Sequence, residues 1–200
     1  MEKGLIKSYK KYYFVIPLFI AIIWTILVAV HCFDNIDQSI TNMFVSIRNP
    51  LLTQIFKLAS DFGSVWFYIV ATIIFFSKYK KESITWLVNL GVIQVINRII
   101  KIIIRRPRPS KSLRLVVEHN YSFPSAHAMC ASVAYGLLIC KLGKLDLKYK
   151  RLYQGLLSLV ILMILISRVY LGVHYASDVI GGLLFGIAYT LFINYNTSFN

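Results

Sequence analysis

From Tyr12 to Phe33 the chain carries no Asp, Glu, Lys or Arg. A run this long and apolar meets the roughly 20 residues a helix needs to cross the hydrocarbon core of a bilayer. Comparable runs recur at about Ser64–Phe76, Ile84–Ile104, Ser125–Leu142, Leu152–Leu171 and His174–Ile193. The Ser64–Phe76 run is short and draws length from the helix before it. Between Asp34 and Gly63 the pattern is mixed and amphipathic, and Asn49-Pro50 divides it, because proline disfavours helix in the residue before it. Two short helices lying at the interface fit that stretch. With 58% apolar and 15% charged side chains, an ordinary soluble domain is excluded, and so is disorder. The expected fold is all-α: one polytopic membrane domain over residues 1–200, with six transmembrane helices and short interfacial helices in a single bundle.

The net charge of +14 is placed as membrane topology places it. Lys3, Lys7, Lys10 and Lys11 precede the first run. Lys78, Lys80 and Lys81 follow the second, and Lys141, Lys144, Lys148, Lys150 and Arg151 separate the fourth from the fifth. Cationic loops of this kind face the cytoplasm, which puts both termini there, in a plasma membrane. The clusters are short and carry no nucleic-acid-binding pattern, so the partners expected are the bilayer and a lipid, with no nucleic acid. A second basic cluster, Lys101, Arg105, Arg106, Arg108, Lys111 and Arg114, falls on the opposite, non-cytoplasmic side. Its position breaks the rule and marks it as functional. Cys32, Cys130 and Cys140 are odd in number and spaced for neither zinc nor a disulfide framework, and are expected to be small buried hydrophobes.

Three sites carry chemistry. On the third span, Gln94, Asn97, Arg98, Lys101 and Arg105 recur at spacings of three and four, one polar stripe on an apolar helix. A cation at membrane depth costs about 2.5–3.5 kcal/mol or more, so such residues face a protein interior or a wet cavity; the alternative for Lys101 and Arg105 is snorkelling to the interface. Next, Pro124-Ser125-Ala126-His127 opens the fourth span, and a helix N-terminus offers free N–H groups to an anion. By itself His127 is more often a hydrogen-bonded structural histidine. Finally, Ser167-Arg168 closes the fifth span, while His174 and Asp178 share one helical face at i and i+4. A carboxylate on one imidazole nitrogen fixes the tautomer and frees the other nitrogen, although a purely structural pair has the same spacing. By the six-span topology all three sites fall at one end of the bundle, where cations and N–H donors suit a phosphoryl group.

Lys101, six residues, then Arg108-Pro109; Pro124-Ser125-Ala126-His127; and Ser167-Arg168, five residues, His174, three residues, Asp178: this order resembles the three-part signature of the type 2 phosphatidic acid phosphatase superfamily, over about residues 55 to 195. The family usually has glycine where this chain has Ala126, which keeps the backbone N–H. The resemblance implies that His174 attacks phosphorus and forms a phosphohistidine while Asp178 holds its ring. His127 protonates the leaving oxygen and then activates water. Lys101, Arg108 and Arg168 clamp the phosphoryl oxygens with Ser125 and the N–H of Ala126. No metal or other cofactor is expected, since clustered carboxylates are lacking. Glu118-His119 reads as loop and a poor ligand pair, and Gly182 with Gly186 reads as close packing within the bundle. The function expected is hydrolysis of a lipid phosphate or pyrophosphate (phosphatidic acid, phosphatidylglycerol phosphate or a polyprenyl diphosphate) at the outer face. The competing reading is a non-catalytic protein that binds or moves anionic lipid. The family's soluble peroxidase branch does not fit this composition. Neither the lipid nor the oligomeric state is written in the sequence.

Overall fold

The computed structural model describes residues 12–197, so Lys3, Lys7, Lys10 and Lys11 lie outside the described residues. Among these the chain is helical, with no strand. The helices are α1 (Val15–Ala29), α2 (Asp34–Ser46), α3 (Pro50–Asp61), α4 (Val65–Phe76), α5 (Lys80–Ile104), α6 (Ala126–Lys144), α7 (Lys150–Tyr170) and α8 (Ala176–Thr197). Helices α5 to α8 are long and apolar enough to cross a membrane, and the pairs α1–α2 and α3–α4, bent by 89° and 55°, bring the number to six if each is one span. The chain is a multi-pass membrane protein. Its second span needs α3 to complete it, as its shortness in the sequence implied.

Local chemistry sets the bends. His31, at φ 64°, ends α1 in a left-handed turn, and Asp34 and Asp37 then open α2, where the helix dipole favours acids. Pro50 starts α3 at a position that needs no N–H, and the Asn49 side chain caps Leu52 N at 2.9 Å. Ser64 caps α4 through Phe67 N at 3.1 Å.

Helix α6 is the hub, packed against α5, α7 and α8. Its residues from Ala128 to Tyr135 are all buried, the mark of a helix enclosed on every side. Close approach of α8 requires glycine: a Cβ on Gly182 would lie 2.6 Å from the Ser125 carbonyl oxygen, and one on Gly186 2.4 Å from Ser132 Cβ. The Gly182/Gly186 pattern therefore serves packing within the bundle. Outward faces are apolar, with Phe19, Trp66, Ile73 and Ile103 all more than 60% exposed, as lipid contact requires. Cys130 is buried and Cys140 partly so, but Cys32, expected to be buried, is exposed in the turn after α1.

Candidate active site

Because consecutive long helices alternate in direction, the end of α5, the start of α6, the end of α7 and the start of α8 meet at one end of the bundle. Lys101 lies in the last turn of α5 and is buried. Its Nζ donates to the carbonyl oxygen of Ser122 at 2.9 Å and to that of Tyr121. The expected polar stripe divides here. Gln94, Asn97, Arg98 and Lys101 line a cavity of about 630 Å³, but Arg105 does not. Arg105 ends α5 at φ 51° and donates back to the Ile102 carbonyl, so its side chain leaves the face that Lys101 occupies.

Arg108, His127, His174 and Ala126 line the same cavity. Ala126 has an ordinary negative φ, so no glycine is needed there, and its N–H has no partner among the described residues. Ser125 is buried and caps α6 through Ala128 N at 3.5 Å, while its own N–H donates to the Asp178 carbonyl at 3.0 Å. The side chain of Ser125 thus acts as a helix cap rather than as part of the cavity wall. The corner between α3 and α4 closes on His127: a Cβ at Gly63 would stand 3.2 Å from its ring.

His174 sits in the turn between α7 and α8, buried. Arg108 Nη1 donates to His174 Nε2 at 3.1 Å and to the Val173 carbonyl at 2.7 Å. A guanidinium only donates, so Nε2 carries the lone pair and the ring proton is on Nδ1. That nitrogen faces Asp178 Oδ2 at 3.5 Å and Ser122 Oγ at 3.4 Å. Burial, then Arg108, Lys101 and Arg168, hold the imidazole well below its ordinary pKa of 6.5. It is neutral at pH 7, with Nε2 turned to the cavity. The expected juxtaposition of Lys101, Arg108, Ala126, His127 and His174 is therefore present, with Asp178 behind His174.

Arg168, also buried, reaches the site through Glu118, whose carboxylate bridges Arg168 Nη2 and Arg108 Nη2, the latter at 3.3 Å. Arg168 Nη1 donates to Ser60 Oγ at 2.5 Å, and its Nε has no hydrogen-bond partner among the described residues. Glu118 is in a loop, as the sequence indicates, but it is the counter-ion between Arg108 and Arg168 rather than a bystander. Ser122 was invisible too: its Oγ donates to Asp178 Oδ2 at 2.5 Å. Arg106, read as part of a basic cluster, donates to Asp178 Oδ1 at 2.7 Å and to Oδ2 of Asp37, read as part of an interfacial helix, at 2.8 Å. Only the Asp at the start of a helix hinted at any of this, and that signal is shared by most helices.

The sequence profile of the PAP2 superfamily matches residues 82–200. The chain is similar to phosphatidylglycerophosphatase B of Bacillus subtilis (strain 168), at 30% identity over 162 residues that cover 77% of this chain and 79% of that protein. It is similar to undecaprenyl-diphosphatase of Sulfolobus acidocaldarius, at 26% identity over 148 residues, 71% of this chain and 67% of that one. Among solved structures, the transmembrane PAP2-type phosphatidylglycerolphosphate phosphatase from Bacillus subtilis superposes with a TM-score of 0.82 at 28% identity, covering 94% of this chain and 96% of that chain.

Proposed function

The chain belongs to the PAP2 superfamily, and on that premise we propose that it is a metal-independent lipid phosphate or pyrophosphate phosphatase working through a phosphohistidine on His174. The observation that carries this reading is the His174 tautomer: Arg108 donates to the Nε2 lone pair at 3.1 Å, a bond that an incoming phosphoryl group takes over from the ring, with Asp178 behind Nδ1. A binding or transport protein needs cations but no oriented imidazole.

Nε2 attacks phosphorus and the bond from phosphorus to the lipid oxygen breaks, with His127 giving that oxygen its proton. Asp178 stabilises the positive charge the ring then carries. His127 next takes a proton from water, whose oxygen attacks phosphorus. The bond from Nε2 to phosphorus breaks and inorganic phosphate leaves. Lys101, Arg108 and Arg168 stabilise the charge gathering on the non-bridging oxygens, with the unpaired Arg168 Nε and Ala126 N–H as donors for them.

A lipid substrate is supported by the cavity wall, which includes the exposed Val65, Val95 and Ile102. A substrate held in the bilayer reaches the phosphoryl site through that side. Lys78, Lys80 and Lys81, and Lys141 to Arg151, stand at the opposite end of the helices from His174, which supports a non-cytoplasmic site with both termini in the cytoplasm. Phosphatidic acid, phosphatidylglycerol phosphate and a polyprenyl diphosphate are the substrates to assay for phosphate release, with and without EDTA. Turnover that survives EDTA and vanishes in His174→Ala is the expected result. Lipid binding without turnover, metal dependence, or an active His174→Ala overturns it.

A further inference from the structure

Behind the His174–Asp178 pair lies a second, buried layer of charge. The left-handed turn at Arg105 throws the next residue inward, so that Arg106, 7% exposed, sits between two carboxylates from distant parts of the chain. Its Nη1 donates to Asp178 Oδ1 and to Ser177 Oγ, both at 2.7 Å, and its Nη2 donates to Asp37 Oδ2 at 2.8 Å and to Asp34 Oδ1 at 3.3 Å. The guanidinium lies 4.5 Å from the centre of the Tyr175 ring. Asp37 is as deeply buried as Asp178; it accepts from Ser177 N at 2.9 Å and from Ser177 Oγ. It comes from α2, ahead of the residues that the family profile matches.

The two oxygens of Asp178 are divided between two tasks. Oδ2 takes Ser122 Oγ at 2.5 Å and Tyr175 N at 2.9 Å and faces His174 Nδ1. Oδ1 is held by Arg106. Held at Oδ2 by Ser122 and Tyr175 and at Oδ1 by Arg106, the carboxylate plane is fixed at both ends, and Arg106 supplies the charged anchor of the two. A lone guanidinium in that place would also cancel the charge of Asp178. Asp37 answers it, and the trio of Arg106, Asp37 and Asp178 keeps one net negative charge behind the ring. Half-exposed Asp34 sits at the margin of this layer.

We propose that Arg106 and Asp37 are positioning residues for the phosphatase reaction: Asp37 offsets the charge of Arg106, and Arg106 sets the orientation and the effective charge of the carboxylate that supports His174. This rests on the phosphohistidine reading above. The ionisable groups around His174 are Lys101 from α5, Arg108 and Glu118 from the loop, His127 from α6, Arg168 from α7 and Asp178 from α8, with Arg106 and Asp37 one layer out. The cations oppose protonation of the ring, and Asp178 favours it. The two outer residues therefore push in opposite directions. Removing the negative charge of Asp37 makes the imidazole harder to protonate; removing the positive charge of Arg106 makes it easier.

The test compares wild type, Asp37→Asn, Arg106→Gln, Arg106→Lys and His174→Ala as purified full-length proteins. The substrate is whichever of phosphatidic acid, phosphatidylglycerol phosphate or a polyprenyl diphosphate the wild type hydrolyses fastest. Rates are expressed per active site. In both neutralised variants kcat falls about 10-fold or more, the scale of loss when the support of a positioned catalytic group is removed. The acid limb of kcat/KM moves to lower pH in Asp37→Asn and to higher pH in Arg106→Gln, with Arg106→Lys between wild type and Arg106→Gln. Ionisation of the substrate is common to all and cancels in the differences. If Arg106→Gln does not fold, Asp37→Asn and Arg106→Lys carry the comparison. Wild-type kcat with an unmoved limb, a lower yield of fully active protein, or limbs moving in the same direction overturns the proposal. An inactive His174→Ala beside unchanged Asp37 and Arg106 variants removes this proposal alone. An active His174→Ala removes the phosphohistidine reading and this proposal with it.

Discussion

Replacing Glu118 with glutamine removes a charge from the place where a phosphoryl group has to sit. The carboxylate bridges Arg108 and Arg168, so an incoming phosphate competes with it for the same two guanidinium groups. A charge-assisted hydrogen bond contributes about 1 kcal/mol more than a neutral one. Two such contacts give about 2 kcal/mol. Glu118 is 24% exposed, and discounting for solvent screening leaves about 1.4 kcal/mol, which is tenfold in affinity. Glutamine keeps the size and one acceptor, so the arginines stay in place. Inorganic phosphate, the product, should therefore inhibit Glu118→Gln with a Ki about 10-fold lower than wild type. The assay is product inhibition of lipid phosphate hydrolysis, with direct phosphate titration by calorimetry as a check. An unchanged or weaker phosphate affinity would refute the reasoning, because the carboxylate would then be holding the arginines for phosphate rather than holding phosphate out.

The pH profile offers a further check: His174 is held well below 6.5 by burial and its neighbouring cations, and it must be neutral to attack. Lowering the pKa keeps the neutral form present to lower pH, so activity persists below pH 6.5 and fails only as the pH falls through the depressed value; a His174 limb at or above 6.5 contradicts this. Gly186→Ala should destabilise the bundle by about 1–3 kcal/mol through overpacking, because the new Cβ would meet Ser132 Cβ at 2.4 Å. Gly91→Ala meets nothing within 4 Å and leaves the thermal unfolding temperature in detergent unchanged or raised, so equal melting of the two variants would refute the packing account.

Much of the fold was legible because bilayer physics writes it in runs of apolar residues. The Ile84–Ile104 stretch lies within α5, long and apolar enough to cross a membrane, whereas the uncharged stretch from Tyr12 forms the 15-residue α1, which reaches that length only together with α2; Asn49-Pro50 marked a helix start that the structure keeps. The angles of 89° and 55° at the two bends were not legible, since tertiary packing sets them. Lys101, His127, His174 and Asp178 stood out because each carries strong chemistry at a fixed spacing, Arg108 stood out through the family resemblance, and the structure brings all five to one end of the bundle. Arg105 was grouped with Lys101 by periodicity alone, and a left-handed residue at the end of α5 broke the period. Ser122 and Asp37 went unseen, and Arg106 and Glu118 were placed only as one of a basic cluster and one of a loop, for another reason. Each looks like an ordinary loop or helix-start residue in its own segment, and each becomes part of the site only when separate segments fold together around Arg168 or Asp178.

In the proposed reaction His174 Nε2 is the atom that takes the phosphoryl group. Blocking the second half of the reaction isolates that event: in His127→Ala, water is no longer activated, while attack by His174 still proceeds on a diphosphate, whose leaving group depends less on a proton. Quenching that variant at alkaline pH after mixing with a polyprenyl diphosphate, followed by phosphopeptide mapping, should place acid-labile phosphate on His174 at close to one per active site. Phosphate found on another residue, or none on His174 in a His127→Ala protein that has released polyprenyl phosphate, would contradict it.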